Sequence, residues 1–294
     1  FALCLPREEF DEKRVADSVK ELQCEFTGNS FHLHMYMGVY EIRDRDEAVS
    51  IMVDKANIAA DTIKNNYDCC VAYYDEHLLE ISIEQRRLLG EFEPALENDE
   101  FVMYLQPQVK RDGAAKGAEA LVRWVHPSRG ILTPYAFIDI LENAGLIYKL
   151  DLYIWEKAAQ KLAEWKEKGY GSYHISVNIS TKDFYIIDIY ETFTGLINKY
   201  GIAASNLHLE ITETTLMTDF EKNMNIIHKL QGVGFRVEID DFGSGYSSLN
   251  MLKDISADVL KIDMGFLRKS ENEVKGQDIL ESIITLAGKI GMDV

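Results

Sequence analysis

From residue 100 to the C-terminal residue, short apolar runs alternate with longer stretches in which apolar positions recur every three to four residues. FVMYLQPQV (101–109), GAEALVRW (117–124), YHISVNIS (173–180), LHLEITE (207–213), FRVEIDD (235–241) and ADVLKID (257–263) have the length and composition of strands. The turn at Asp112 and Gly113 starts the second of them. Helical periodicity falls over 134–144, with Pro134 in its first turn, and over 150–168, 190–200, 219–231, 247–252 and 275–289. Strand and helix in regular succession predict a parallel sheet, and the number of units predicts an α/β barrel that stops short of its last strands.

Upstream the pattern is shorter. Residues 1–76 predict a small α/β unit: a strand at FALCLP (1–6), a helix over 7–24, a strand at FHLHMYMGVY (31–40), a helix over 46–65 and a strand at CCVAYYD (69–75). The helix over 46–65 lines up Ala48, Ile51, Met52, Ala56, Ala59, Ala60 and Ile63 on one face. Residues 77–99 form a charged helix, interrupted near Pro94, that reads as the linker. His32 and His34 share a strand face without a third ligand in view, so they read as surface or core histidines.

Composition narrows the function. A chain of 294 residues that is 47% hydrophobic buries a sizeable core in two domains. A net charge of −18 excludes a non-specific binder of DNA or RNA polymers, which needs basic surface to replace counterions. An anionic substrate would need metal ions or local cations to hold it. Cys4, Cys24, Cys69 and Cys70 show neither metal-ligand nor disulfide spacing, which favours a reducing cytoplasm. No apolar run has the length of a membrane span. The first residue is Phe and the last segment, GKIGMDV, feeds a new strand; both ends read as cuts in a longer protein whose N-terminal part would carry any sensor domain or membrane tether.

The candidate chemistry sits at the strand ends. Glu119, Asn178, Glu210, Asp240, Asp241, Lys261 and Asp263 each interrupt or close an apolar run. A buried charge costs several kcal/mol unless paired or bound to metal, and a shared cation site explains the whole set. Adjacent aspartates splay in different directions, so Asp240 and Asp241 suit two hard cations roughly 3.5–4 Å apart, an arrangement that hydrolyses phosphodiesters. Taken alone, the same two residues could simply cap a turn that Gly243 and Gly245 permit.

EALVRW, HPSRG, SVNIS, LEITE, DDFGSGYSSL and LKID, in that order from about residue 85 to the end, resemble the EAL-domain family of cyclic di-GMP phosphodiesterases. The N-terminal piece resembles the second half of a GGDEF domain, the diguanylate-cyclase fold, with Phe1 where that motif's final Phe stands and MYMGVY loosely following a strand of the family. The resemblance implies an EAL-type TIM-like (β/α) barrel lacking its last strands over 100–294, a linker helix over 77–99, and a partial GGDEF-type α/β domain over 1–76. It implies that Glu119, Asn178, Glu210 and Asp240 hold one Mg²⁺ or Mn²⁺, and that Asp240 with Asp241 hold a second. Lys261 is implied to stand near the attacking water, although a structural ion pair with Asp263 or Asp240 is the plain alternative. Glu213 is implied to anchor the DFGSGYSS loop, while Leu121, Arg123 and Gln106 meet the nucleotide. Homodimerisation through the barrel is implied as well. The family carries a further glutamate on its seventh barrel strand, beyond GMDV, so these residues alone are expected to hydrolyse little. A receptor that binds cyclic di-GMP without cleaving it is the competing expectation.

Overall fold

The computed structural model describes residues 2–15, 17, 35–64, 70–110, 112–243, 255–264 and 273–294. It divides into two compact units, Phe1–Gly90 and Glu91–Val294.

In the first unit, β1 (Met37–Val39) is followed by α1 (Val49–Asp61) and β2 (Val71–Tyr73), and the two strands pair in parallel with Met37 opposite Val71. The helix lies close against the strands because Gly38 has no side chain. A Cβ there would stand 1.7 Å from the Ala56 carbonyl oxygen, so any other residue would force β1 and α1 apart. Residues 2–6 of the first expected strand carry no strand, and within 35–40, the described part of the second, the strand is Met37–Val39. Of the helix expected over 7–24, Arg7–Glu9 is a single 3-10 turn and residues 12–15 are helical, whereas residues 16 and 18–24 lie outside the described residues, as do His32, His34, Cys24, Cys69 and the helix expected over 247–252. Cys4 and Cys70 are free thiols.

Helix α2 (Glu76–Glu97) crosses the division between the units, so residues 77–90 of the stretch expected as a linker belong to the first and 91–99 to the second. It is continuous through Pro94, where the sequence predicts an interruption. Proline removes one helical hydrogen bond, but Phe92 and Ala95 on either side of it are buried, and that burial holds the helix together.

In the second unit, a hairpin of β3 (Phe101–Val109) and β4 (Ala115–His126) opens the sheet. This pair is antiparallel, with Gln106 opposite Glu119, a departure from the wholly parallel sheet read from the sequence. The connection is too short for a crossover, which needs a dozen residues or more. Instead, Gly113 at φ +82° turns the chain, and Asp112 Oδ1 accepts from the Ala114 amide at 2.9 Å. A short strand, β5 (Gly130–Leu132), returns along β4.

From there the α/β pattern holds. After α3 (Ile138–Ala144) and α4 (Ile147–Glu167) come β6 (His174–Ile179), α5 (Asp183–Ile186), α6 (Ile189–Tyr200), β7 (Leu207–Thr212), α7 (Glu213–Thr218), α8 (Phe220–Val233), β8 (Arg236–Phe242), β9 (Val259–Ile262) and α9 (Glu273–Lys289). Strands β4, β6, β7, β8 and β9 are consecutive parallel neighbours. Asp293 makes a parallel bridge to Val259, and its carbonyl accepts from the Leu260 amide, extending the same order. Among the described residues no helix is long and apolar enough to cross a membrane.

Period two divides the strands into faces. Ile175, Val177, Ile179, Leu207, Leu209, Ile211, Val237, Ile239 and Leu260 are buried, on the face that receives the helices. Trp155 of α4 stacks near Phe193 of α6 with ring centres 4.5 Å apart and donates to the Asn178 carbonyl at 2.9 Å. The opposite face holds the polar residues.

One acidic pair lies off that face. Asp183 is buried and accepts from the Ser180 amide at 2.8 Å. Burial pushes Asp151 of α4 well above the ordinary 3.8, and the neighbouring Asp183 adds to the shift; burial raises Asp183 as well. The fold thus retains a proton that the unfolded chain releases above pH 3.8. Stability is undiminished below that pH and falls as pH rises toward the folded-state values. Asp151→Asn supplies a permanent N–H donor to Asp183. Its melting temperature should match wild type near pH 4 and exceed it increasingly toward pH 8, as read by circular dichroism at both pH values.

Candidate active site

The polar face is built by alternation. Glu119, Leu121 and Arg123 on β4, Asn178 on β6, Glu210 on β7, Asp240 on β8 and Lys261 on β9 occupy same-face positions of neighbouring strands. Asn178 is in register with Glu210. Parallel strands end together, so side chains far apart in sequence converge at the carboxyl edge, where α/β barrels assemble their active sites.

Lys261 joins them. Its Nζ lies 2.8 Å from Glu210 Oε2, 3.1 Å from Glu119 Oε2 and 3.1 Å from Asp240 Oδ1. Carboxylate oxygens of Glu119, Glu210 and Asp240 lie within 4.8 Å of one another. Burial would lower the Lys261 ammonium, but Glu210, Asp240 and Glu119 together hold it above its ordinary 10.5. Glu210 has no exposed side-chain surface. Burial pushes it up to about 9, with Lys261 opposing and Glu119 adding to the shift. Three carboxyls face one ammonium, so the site has room for added positive charge.

Asp241 reaches the edge by a different device. Ile239 pairs with Leu260 and Phe242 with Ile262, so β8 carries one residue more than β9 over this stretch. Such a bulge bends the strand and redirects its side chains. Asp241 sits at φ +52°, a left-handed conformation that aspartate tolerates better than most residues. Burial raises its carboxyl, and the charges of Asp240 and Asp263 raise it further.

Of the remaining sequence-predicted residues, Gln106 is exposed opposite Glu119 on β3. Leu121 is paired with Tyr104, and Arg123 donates to the Val122 carbonyl at 2.8 Å while lying 5.7 Å from the Tyr104 ring. Asn178 has an exposed side chain. Glu213 opens α7 and is buried; residues 244–248 of the DFGSGYSS loop it was expected to anchor lie outside the described residues.

Sequence reasoning missed a second polar layer one step down the same strands: Gln108, His174, Ser176, His208 and Glu238. His208 Nδ1 meets Glu238 Oε1 at 2.5 Å, and its Nε2 faces the Ser205 carbonyl at 3.2 Å. The His174 and His208 rings stack face to face, 3.7 Å apart and 2° from parallel. His174 Nε2 is 2.6 Å from Gln108 Oε1. Burial and the neighbouring His208 push His174 down to about 4. Burial would raise Glu238, but the His208 hydrogen bond and charge hold it at about 2. The signal was present in the alternation, since Ser176, His208 and Glu238 each stand two residues before a predicted ligand.

Residues 90–294 match the EAL domain family. The bifunctional diguanylate cyclase/cyclic di-GMP phosphodiesterase MucR of Pseudomonas aeruginosa is 31% identical over 237 residues, covering 80% of this chain and 34% of the relative. The cyclic di-GMP phosphodiesterase PdeR of Escherichia coli is 31% identical over 200 residues, covering 68% of this chain and 30% of the relative. Among solved structures, the PaMucR phosphodiesterase in its c-di-GMP complex has a TM-score of 0.66 at 33% identity, covering 70% of this chain and 84% of that one. The chain spans about a third of the length of the curated relatives it matches.

Proposed function

This chain belongs to the EAL-domain family, and on that premise we propose that the protein containing it hydrolyses cyclic di-GMP to linear pGpG using two divalent cations, Mg²⁺ or Mn²⁺. The observation that carries this reading is the convergence of Glu119, Glu210 and Asp240 on one point at the carboxyl ends of parallel strands, with Lys261 among them. The donors are oxygens, which suit hard cations and fit zinc or copper poorly. Glu119, Asn178, Glu210 and Asp240 would hold the first ion, and Asp240 with Asp241 the second.

Such ions, when bound, supply Lewis-acid polarisation of the phosphate and a water nucleophilic at neutral pH. The side chains do the rest. Lys261 orients the attacking water and offsets negative charge developing on the phosphorus oxygens. Leu121, Arg123 and Gln106 line the strand surface where the nucleotide lies, and Glu213 steadies the loop after β8. Residues 1–76 are, in the same reading, the C-terminal part of a diguanylate-cyclase-like module, and the protein works in the cytoplasm as a homodimer joined through the barrel, downstream of an N-terminal sensor.

The deciding experiment follows cyclic di-GMP and pGpG chromatographically, using the intact protein with Mn²⁺ or Mg²⁺ beside Glu119→Ala. Metal-dependent conversion that the substitution abolishes is the expected result. Tight cyclic di-GMP binding by the wild-type protein without turnover would overturn the enzyme and leave a receptor.

A further inference from the structure

The second polar layer is a directed chain of hydrogen bonds, and its direction assigns it a task. His208 Nε2 faces a backbone carbonyl, 3.2 Å away, so it carries a hydrogen. One proton then lies between His208 Nδ1 and Glu238 Oε1, and the pair is neutral as a unit whichever atom owns it. Ser176 donates to Glu238 Oε2 at 3.3 Å, which leaves its oxygen to accept from Gln108 Nε2 at 3.2 Å. His174 Nε2 donates to Gln108 Oε1 at 2.6 Å. With Ser176 accepting from the Gln108 N–H group, Oε1 is the atom turned toward His174. The same N–H group faces Glu210 Oε1 at 3.5 Å, whereas the reversed amide would set oxygen against the carboxylate.

We propose that Gln108, His174, Ser176, His208 and Glu238 form a positioning layer that presents Glu210 to the cation site, with the Gln108 amide facing Glu210 Oε1. The inference rests on the cation-binding reading above. Its logic is that of outer-shell partners in general: they fix the orientation of a ligating side chain before the ion arrives, and losing one typically costs about 10–100-fold in metal affinity. Here Oε1 of Glu210 is engaged from below, and Oε2 is left toward Lys261 and the shared point. A buried glutamate with free rotation would have to be ordered at the moment of binding.

Another use of the same residues is a metal site of their own, since ligand atoms of His174, His208 and Glu238 fall within 4.8 Å of one another. The ring geometry opposes it. Nitrogen lone pairs lie in the imidazole planes, and two planes only 2° from parallel and stacked face to face do not converge on one ion. Both Nε2 atoms are also engaged with oxygen acceptors.

The test is Mn²⁺ binding to the intact protein by titration calorimetry, with thermal melts confirming that each variant is folded. Gln108→Met keeps the side-chain length and removes the amide; it should weaken Mn²⁺ binding by about 10-fold or more. Glu238→Gln donates to neutral His208 and still accepts from Ser176, so its affinity should stay within about 2-fold of wild type, while Glu238→Leu should fall with Gln108→Met. Wild-type affinity in a folded Gln108→Met protein would overturn the positioning layer and leave the cation site standing. Equal losses in Glu238→Gln and Glu238→Leu would replace hydrogen-bond positioning with a requirement for charge, which also overturns it. Failure of the wild-type protein to bind Mn²⁺ would overturn the cation reading itself. Mn²⁺ binding that survives Glu210→Gln but is lost in His174→Ala would move the ion to the histidines and refute the layer's assigned task.

Discussion

Lys261→Met is expected to reduce cyclic di-GMP hydrolysis by roughly 10²–10³-fold, the usual loss when a group aimed at developing charge is removed, while leaving Mn²⁺ binding as tight as in wild type or tighter. On the proposed mechanism the two effects part, because Lys261 would assist the substrate and oppose the ion. Its ammonium touches Glu119, Glu210 and Asp240, so an incoming cation competes with it for the same oxygens. Methionine keeps the unbranched stem as far as the ε position and withdraws the competing ammonium. The cost falls on the ion-free protein, where three carboxyls then face one another without a balancing charge. Its melting temperature should drop below wild type and recover on adding Mn²⁺, since a ligand that binds only the folded state stabilises it by mass action. Glu210→Gln should behave differently, losing affinity and turnover together. Parallel loss of Mn²⁺ binding and activity in folded Lys261→Met would assign the lysine to holding the carboxylates in place rather than to the reaction.

How far the sequence disclosed this site follows from which physical signal each residue leaves. Glu119, Glu210, Asp240 and Lys261 were legible because a charge inside an apolar strand is costly and therefore informative, and strand order brings such residues to one edge once the sheet is parallel. The structure does bring these four together. The antiparallel start was harder to see because β3 and β4 have the composition of parallel strands; only the shortness of the turn at Asp112 and Gly113 distinguishes them. The break expected at Pro94 rested on local propensity, which the burial of Phe92 and Ala95 overrides. The bulge at Asp241 left no trace in the pattern, since period two alone would send Asp241 to the face opposite Asp240. Gln108, His174 and His208 went unread for another reason. Each is an ordinary strand residue until the register sets it against a partner on the next strand, and register is a property of pairing rather than of any one segment.

Trp124→Ala should destabilise the second unit by about 3–5 kcal/mol, the cost typical of emptying a large aromatic site in a core. Trp124 has no exposed surface. Its ring stands 4.8 Å from that of Phe101 and 5.9 Å from that of Phe137, and Phe92 closes on Phe101 from α2 at 5.6 Å. These contacts tie α2, β3, β4 and the segment before α3 into one cluster, and its collapse around so large a void would have to move several backbones at once. The indole N–H also donates to Glu100 at 2.9 Å, a bond lost with the ring. For a domain of this size such a penalty lowers the melting temperature by on the order of 10 °C, readable by circular dichroism. Trp124→Phe keeps most of the ring contacts and should lose well under half as much. Because Trp124 points away from the face that carries Glu119, the folded fraction of Trp124→Ala should bind Mn²⁺ nearly as wild type does. A melting temperature within 3 °C of wild type for Trp124→Ala would mean that the aromatic cluster does not hold the hairpin to α2, and that the hairpin backbone alone keeps Glu119 in place.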